Sequence, residues 1–164
     1  MPDFGCAEAR AVWAALEFRS PALLRYVAPL DDGELRWRPP GGGNSVAWQL
    51  WHIAEVEDNW VRELLLGEPR RYPFGASVRD AADDAYPPKP ALLAYLAEAR
   101  RLSRERLAAL GAGDFERPLE DAHFGAITVR QMWAGVVTSF AWHAGQVPLT
   151  IRLLRALRDG RAAT

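Results

Sequence analysis

The sequence predicts an all-α protein built as a four-helix bundle, and three observations carry that reading. Apolar residues recur at spacings of three and four through four separate stretches, the period of a helix with one buried face. No stretch alternates apolar and polar residues in the manner of a half-buried strand. One Pro-, Arg- and Asp-rich connection, residues 67–88, is long enough to cross over between non-adjacent ends of a bundle. The 164 residues suit a single domain, 1–164, with a core that needs no disulfide.

The first helical stretch runs from about Phe4 to Val27, with Ala11, Ala14, Leu16, Leu23, Leu24 and Val27 in approximate register. Pro21 interrupts it. Proline lacks an amide donor and crowds the preceding turn, so a kink is expected there, or a break with Ser20 capping a second piece. LDDGELRWRPPGGGNS, dense in Gly and Pro, reads as a loop. Asn44 or Ser45 then caps a second helix over about Val46–Leu66.

That helix carries Val46, Leu50, Ile53, Trp60 and Leu64 on one stripe, with Glu57 inside the stripe and Trp48, Trp51 and Val56 off it. An apolar surface on nearly every side predicts a central helix or a dimer-forming one. The third helix, about Pro90–Leu110, has the ordinary amphipathic pattern of a surface helix. Arg100, Arg101, Arg104 and Arg106 alternate there with Glu98 and Glu105, which reads as a solvated, ion-paired face. Gly111 and Gly113 end it, and a loop through Pro118, His123 and Gly125 leads to Thr128, the cap of the last helix. The final stripe is Val129, Trp133, Val136, Phe140, His143, Val147, Ile151 and Leu154. Pro148 is expected to kink it and free the carbonyl of Ala144.

Composition narrows the function classes. With 20 basic against 21 acidic residues, a formal charge of −1, the chain lacks the basic footprint of a nucleic-acid binder. Cys6 is the single cysteine, which excludes an intrachain disulfide and a multi-thiolate zinc site. It has no base near it in sequence and reads as inert. No apolar run approaches a membrane span of roughly 20 residues, no secretory signal opens the chain, and a cytoplasmic location is expected.

Chemistry points to two of the three histidines. His52 and His143 sit in aromatic-rich helical stretches 91 residues apart, so any shared site is made by two helices meeting. Each also reads as a core histidine whose ring nitrogens are hydrogen-bonded. Glu57 is expected to pair with an arginine of another helix, because a buried carboxylate needs a partner or a raised pKa.

LRWRP before a Gly-rich loop, then SVAWQLWHIAEVED, then TVRQMW leading to WHAGQV, together resemble the DinB-like, YfiT-like superfamily of bacterial four-helix bundles. The resemblance spans about Leu35 to Leu154, and its most specific part is the His-x-Gly-Gln of the last helix. It implies an up-down-down-up bundle whose long crossover joins helices two and three, commonly a homodimer. It further implies a divalent metal, zinc or nickel, on three histidines, one from helix two and two from helix four spaced four apart. Several members act on a small-molecule substrate as transferases or isomerases that use a low-molecular-weight thiol such as mycothiol or bacillithiol.

His52 matches the helix-two ligand and His143 the second helix-four ligand, but the position four residues earlier is Ser139. A neutral hydroxyl is a poor zinc ligand, so the implied triad is degenerate. His123 or Glu55 are the candidate substitutes; Glu55 lies three residues from His52 and roughly 60° round the helix from it. Gln146 is a candidate to orient the His143 imidazole through a hydrogen bond. The alternative is a non-catalytic homodimeric bundle, without metal, that binds a small apolar ligand or a partner.

Overall fold

In the computed structural model, which describes residues 4–82 and 85–160, four long helices form the body. Helix α1 spans Ala7–Val27, the short α2 Asp32–Arg36, α3 Val46–Trp60, α4 Lys89–Ala109 and α5 Val129–Arg158. The long helices touch in the cyclic order α1, α5, α3, α4. Paired residues give their directions. Gln49 meets Thr150, His52 meets His143, and Trp60 meets Gly135, so α3 and α5 are antiparallel. Trp51 packs on Tyr86 just before α4, and Asp58 bonds Tyr95 inside it, so α3 and α4 run the same way. Ser20 bonds Arg100 while Lys89 reaches Ala28, which sets α1 against α4. These contacts describe an up-down-down-up order, with residues 67–88 as the crossover.

Local chemistry sets most boundaries. Ser45 Oγ accepts from the Trp48 amide at 3.1 Å and starts α3; Thr128 and Gln131 form a reciprocal capping box that starts α5. Cys6 Sγ caps α1, accepting from the Ala9 amide. In α3 nearly every side is buried, from Val46 and Leu50 to Glu57 and Asp58, as its apolar surround predicts. It ends in a π-helical turn, Val61–Leu65.

Three expectations are corrected. Helix α1 continues through Pro21 instead of breaking, and Ser20 donates its hydroxyl to the Leu16 carbonyl at 2.8 Å rather than capping a new helix. Burial of Leu16, Leu23 and Val27 on both sides of the proline keeps both halves of the helix on the core. Residues 32–36 of the first loop are a short helix, because Asp31 and Glu34 cap each other's amides. The loop before α5 contains an antiparallel hairpin, β1 Pro118–Asp121 and β2 Gly125–Thr128, with Pro118 opposite Thr128 and Asp121 opposite Gly125. Burial alternates along β1, but its second inward position is Asp121, so the apolar-polar pattern of the sequence does not show it.

Ion pairs tie the crossover to the core. Asp58, fully buried, takes Arg62 Nε at 3.0 Å and Arg71 Nε at 3.1 Å. Arg71 also reaches Glu98 of α4 at 2.8 Å, and its amide donates to Asn59 Oδ1 at 2.8 Å. Burial and the Asp58 charge raise the Tyr95 phenol's pKa, which keeps it a neutral donor to that carboxylate.

On the opposite stripe Glu57 pairs with an arginine of another helix as expected. Arg100 Nε stands 3.0 Å from its Oε1, without hydrogen-bond alignment. Burial raises the Glu57 pKa against the opposing pull of Arg100. Arg100 thus leaves the solvated face on which its sequence neighbours place it; Arg101, paired with Glu105, stays there.

Candidate functional site

Helices α3 and α5 cross so that His52 and His143 meet. Their ring centroids are 4.6 Å apart at 83°, an edge-to-face contact. Trp48, one turn before His52, stacks on it at 4.6 Å and 23°, and stands 5.6 Å from His143. The indole therefore fixes both rings. Their Nδ1 atoms are buried and lack hydrogen-bond partners among the described residues. Burial lowers the His52 pKa to about 4, helped by the His143 ring and the Arg79 charge. Burial also lowers that of His143, with Gln146 opposing the shift and Arg79 adding to it. Both imidazoles are neutral at pH 7, the form that a metal ligand or a general base requires.

The pair opens onto a cleft of about 680 Å³, within the range of small-molecule sites. Ser139, Thr138 and Trp142 of α5 form one wall, and His123 and Phe124 of the hairpin another. The far end depends on Gly135. A Cβ there would lie 2.3 Å from Trp60 Cζ3, so only glycine lets the indole of α3 seat against α5. Trp60 in turn meets Phe124 edge to face at 5.9 Å, which docks the hairpin over the cleft.

The structure sorts the sequence candidates. His52 and His143 converge. Ser139 lines the same cleft one turn before His143, the side the resemblance gives to a third ligand. Glu55 also lines it, but its carboxylate is engaged, accepting from Ser77 Oγ at 2.6 Å and the Val78 amide at 2.9 Å. His123 sits at the exposed hairpin turn with its ring against Phe124, centroids 4.7 Å apart. Among the described residues, no three His, Cys, Asp or Glu side chains are grouped to hold one ion. Gln146 favours the charged form of His143, although no hydrogen bond of good geometry joins them.

Sequence reasoning missed Arg70, Arg79 and Asp121, all of which line the cleft. For Arg70 and Arg79 the one signal was the length of the crossover, since long loops in compact domains often carry function; Asp121, in β1, had none. No residue spacing relates them to His52 or His143.

The sequence signature of the DinB superfamily matches residues 15–147. A crystal structure of a conserved protein from Enterococcus faecalis superposes with a TM-score of 0.68, covering 88% of this chain and 95% of that one at 19% identity. That likeness is one of fold. No curated protein matches the chain. With its signature spread over the helices that carry both histidines, the chain belongs to the DinB superfamily.

Proposed function

We propose that the cleft is a ligand site in which His52 and His143 hold a divalent cation, zinc or nickel, together with the bound small molecule. The observation that carries this reading is the convergence of two neutral imidazoles, each with a buried and unpartnered Nδ1. The donors fit part of a tetrahedral site. Two nitrogens suit zinc or nickel, while the Ser139 hydroxyl adds little, so the remaining positions fall to water or to a ligand thiolate. A bound ion would lower the pKa of such a thiol or water and give a nucleophile at neutral pH. The reaction class consistent with the resemblance is transfer to or from a low-molecular-weight thiol.

The test is metal analysis of tag-free protein purified without chelator, followed by zinc and nickel titration. Bound metal that disappears in His52→Ala and in His143→Ala is expected. Zinc and nickel affinity unchanged in both variants would refute the reading.

A second reading, favoured by Ser139 and by the aromatic walls, is a non-catalytic bundle that binds an apolar molecule without metal. Trp142 is 67% exposed and Phe124 59%, which leaves large apolar surface in the cleft. A homodimer belongs to either reading; Phe18, Tyr26 and Leu149 are exposed on α1 and α5 beside a shallow groove between those helices. Sedimentation of the wild type and of Tyr26→Glu distinguishes dimer from monomer. Among the described residues no helix is long and apolar enough to cross a membrane.

A further inference from the structure

The crossover brings to the cleft a cation, Arg79, that is uncommitted among the described residues. Four charged side chains line it besides the histidines: Glu55, Arg70, Arg79 and Asp121. Three are engaged. Glu55 accepts from Ser77 and Val78, Arg70 Nε bonds Glu63 at 2.6 Å, and Asp121 Oδ1 accepts from the amides of His123 and Phe124. Arg79 is exposed, and among the described residues its guanidinium has no hydrogen-bond or ion-pair partner.

The backbone that presents Arg79 is held in place. The Asp80 amide donates to the Ser77 carbonyl at 3.0 Å and closes a turn around it. Ser77 and Val78 are fastened to Glu55, which sits one turn from His52 on α3. With its backbone fixed, Arg79 loses only side-chain freedom on binding, and its planar fork matches a carboxylate or phosphate. Its charge also reaches both imidazoles. Trp142 and Phe124, which also line the cleft, are largely exposed aromatic side chains.

We infer that the cleft takes a small organic anion, a carboxylate or a phosphate ester with an apolar group. Its anionic head pairs with Arg79 and its apolar part lies against Trp142 and Phe124. The inference rests on the cleft being the ligand site, not on a bound ion.

Titration of the full chain in EDTA and low salt with benzoate, phenyl phosphate and neutral benzamide tests it, followed through the ring-proton NMR signals of His52 and His143. At least one anion is expected to shift those signals at millimolar concentration, with benzamide about tenfold weaker or more. Arg79→Gln should lose a similar factor, Arg79→Lys should retain part of the affinity, and both should keep the wild-type Tm. The stronger of the two anions identifies the head group. Benzamide binding as well as the anions, Arg79→Gln binding as wild type, or no response to either anion overturns the inference. Repeating the series with zinc separates the readings. Histidine-dependent zinc binding with no anion effect removes this inference alone, and anion binding through Arg79 without zinc binding removes the metal reading alone.

Discussion

His52 of α3 and His143 of α5 stand edge to face, with ring centroids 4.6 Å apart and the Trp48 indole stacked on the first. Each ring is held from one side by packing and leaves an unpaired nitrogen. In the proposed metal site the donor set stops at two, and the resemblance gives the third place to position 139, one turn before His143, which is serine. Ser139→His should therefore tighten zinc binding by about tenfold or more, read by competition with a chromophoric chelator. An unchanged affinity would mean that this position does not face the ion.

Acid should weaken the fold through the same pair. The folded-state pKa of His52 is lowered from 6.5 to about 4, chiefly by burial, so the unfolded chain binds the extra proton first. Stability is then flat above about pH 6.5, falls as pH drops toward 4, and levels off below it, by at most about 3 kcal/mol. His143, shifted the same way, adds to the slope. Urea melts across this range should show a shallower acid loss in His52→Gln than in wild type; equal slopes would remove His52 as the cause.

Asp58 is the anchor of the crossover, with its buried carboxylate shared by Arg62 and Arg71. Asp58→Ala leaves two guanidinium groups without that partner and should cost about 3–5 kcal/mol, the range for breaking a buried pair. Arg71→Ala should cost less, since Arg71 is partly exposed and Asp58 keeps Arg62. Chemical denaturation ranks the two, and the reverse order would show that Arg62 and Asp58 do not form the core of the network.

At Gly135 two effects oppose each other. Alanine gains about 1 kcal/mol of helix propensity, but its Cβ would stand 2.3 Å from Trp60 Cζ3, and overpacking typically costs about 1–3 kcal/mol. Because Phe124 backs the indole, steric cost should win, giving Gly135→Ala a lower Tm that adding Trp60→Leu recovers. A variant more stable than wild type would show that the indole moves aside freely.

The four long helices were legible in the sequence because each buries a stripe at the helical period, and two of their starts also carry a cap that acts within three residues, Ser45 and Thr128. Glu57 was legible as a paired carboxylate for a similar reason: its place in an apolar stripe demands a partner whatever the fold. The histidine pair was legible only as two suitable residues on two helices. The antiparallel crossing of α3 and α5 decided that they meet, and the seating of Trp60 against Gly135 decided how close the helices come. Arg79 was invisible, since the turn that presents it is set by Glu55, 24 residues earlier in the chain. Periodicity and caps are local and so survive in the one-dimensional pattern. Helix directions, the unpartnered imidazole nitrogens and the placement of Arg79 at the cleft depend on contacts between distant segments, and only the packed bundle determines those.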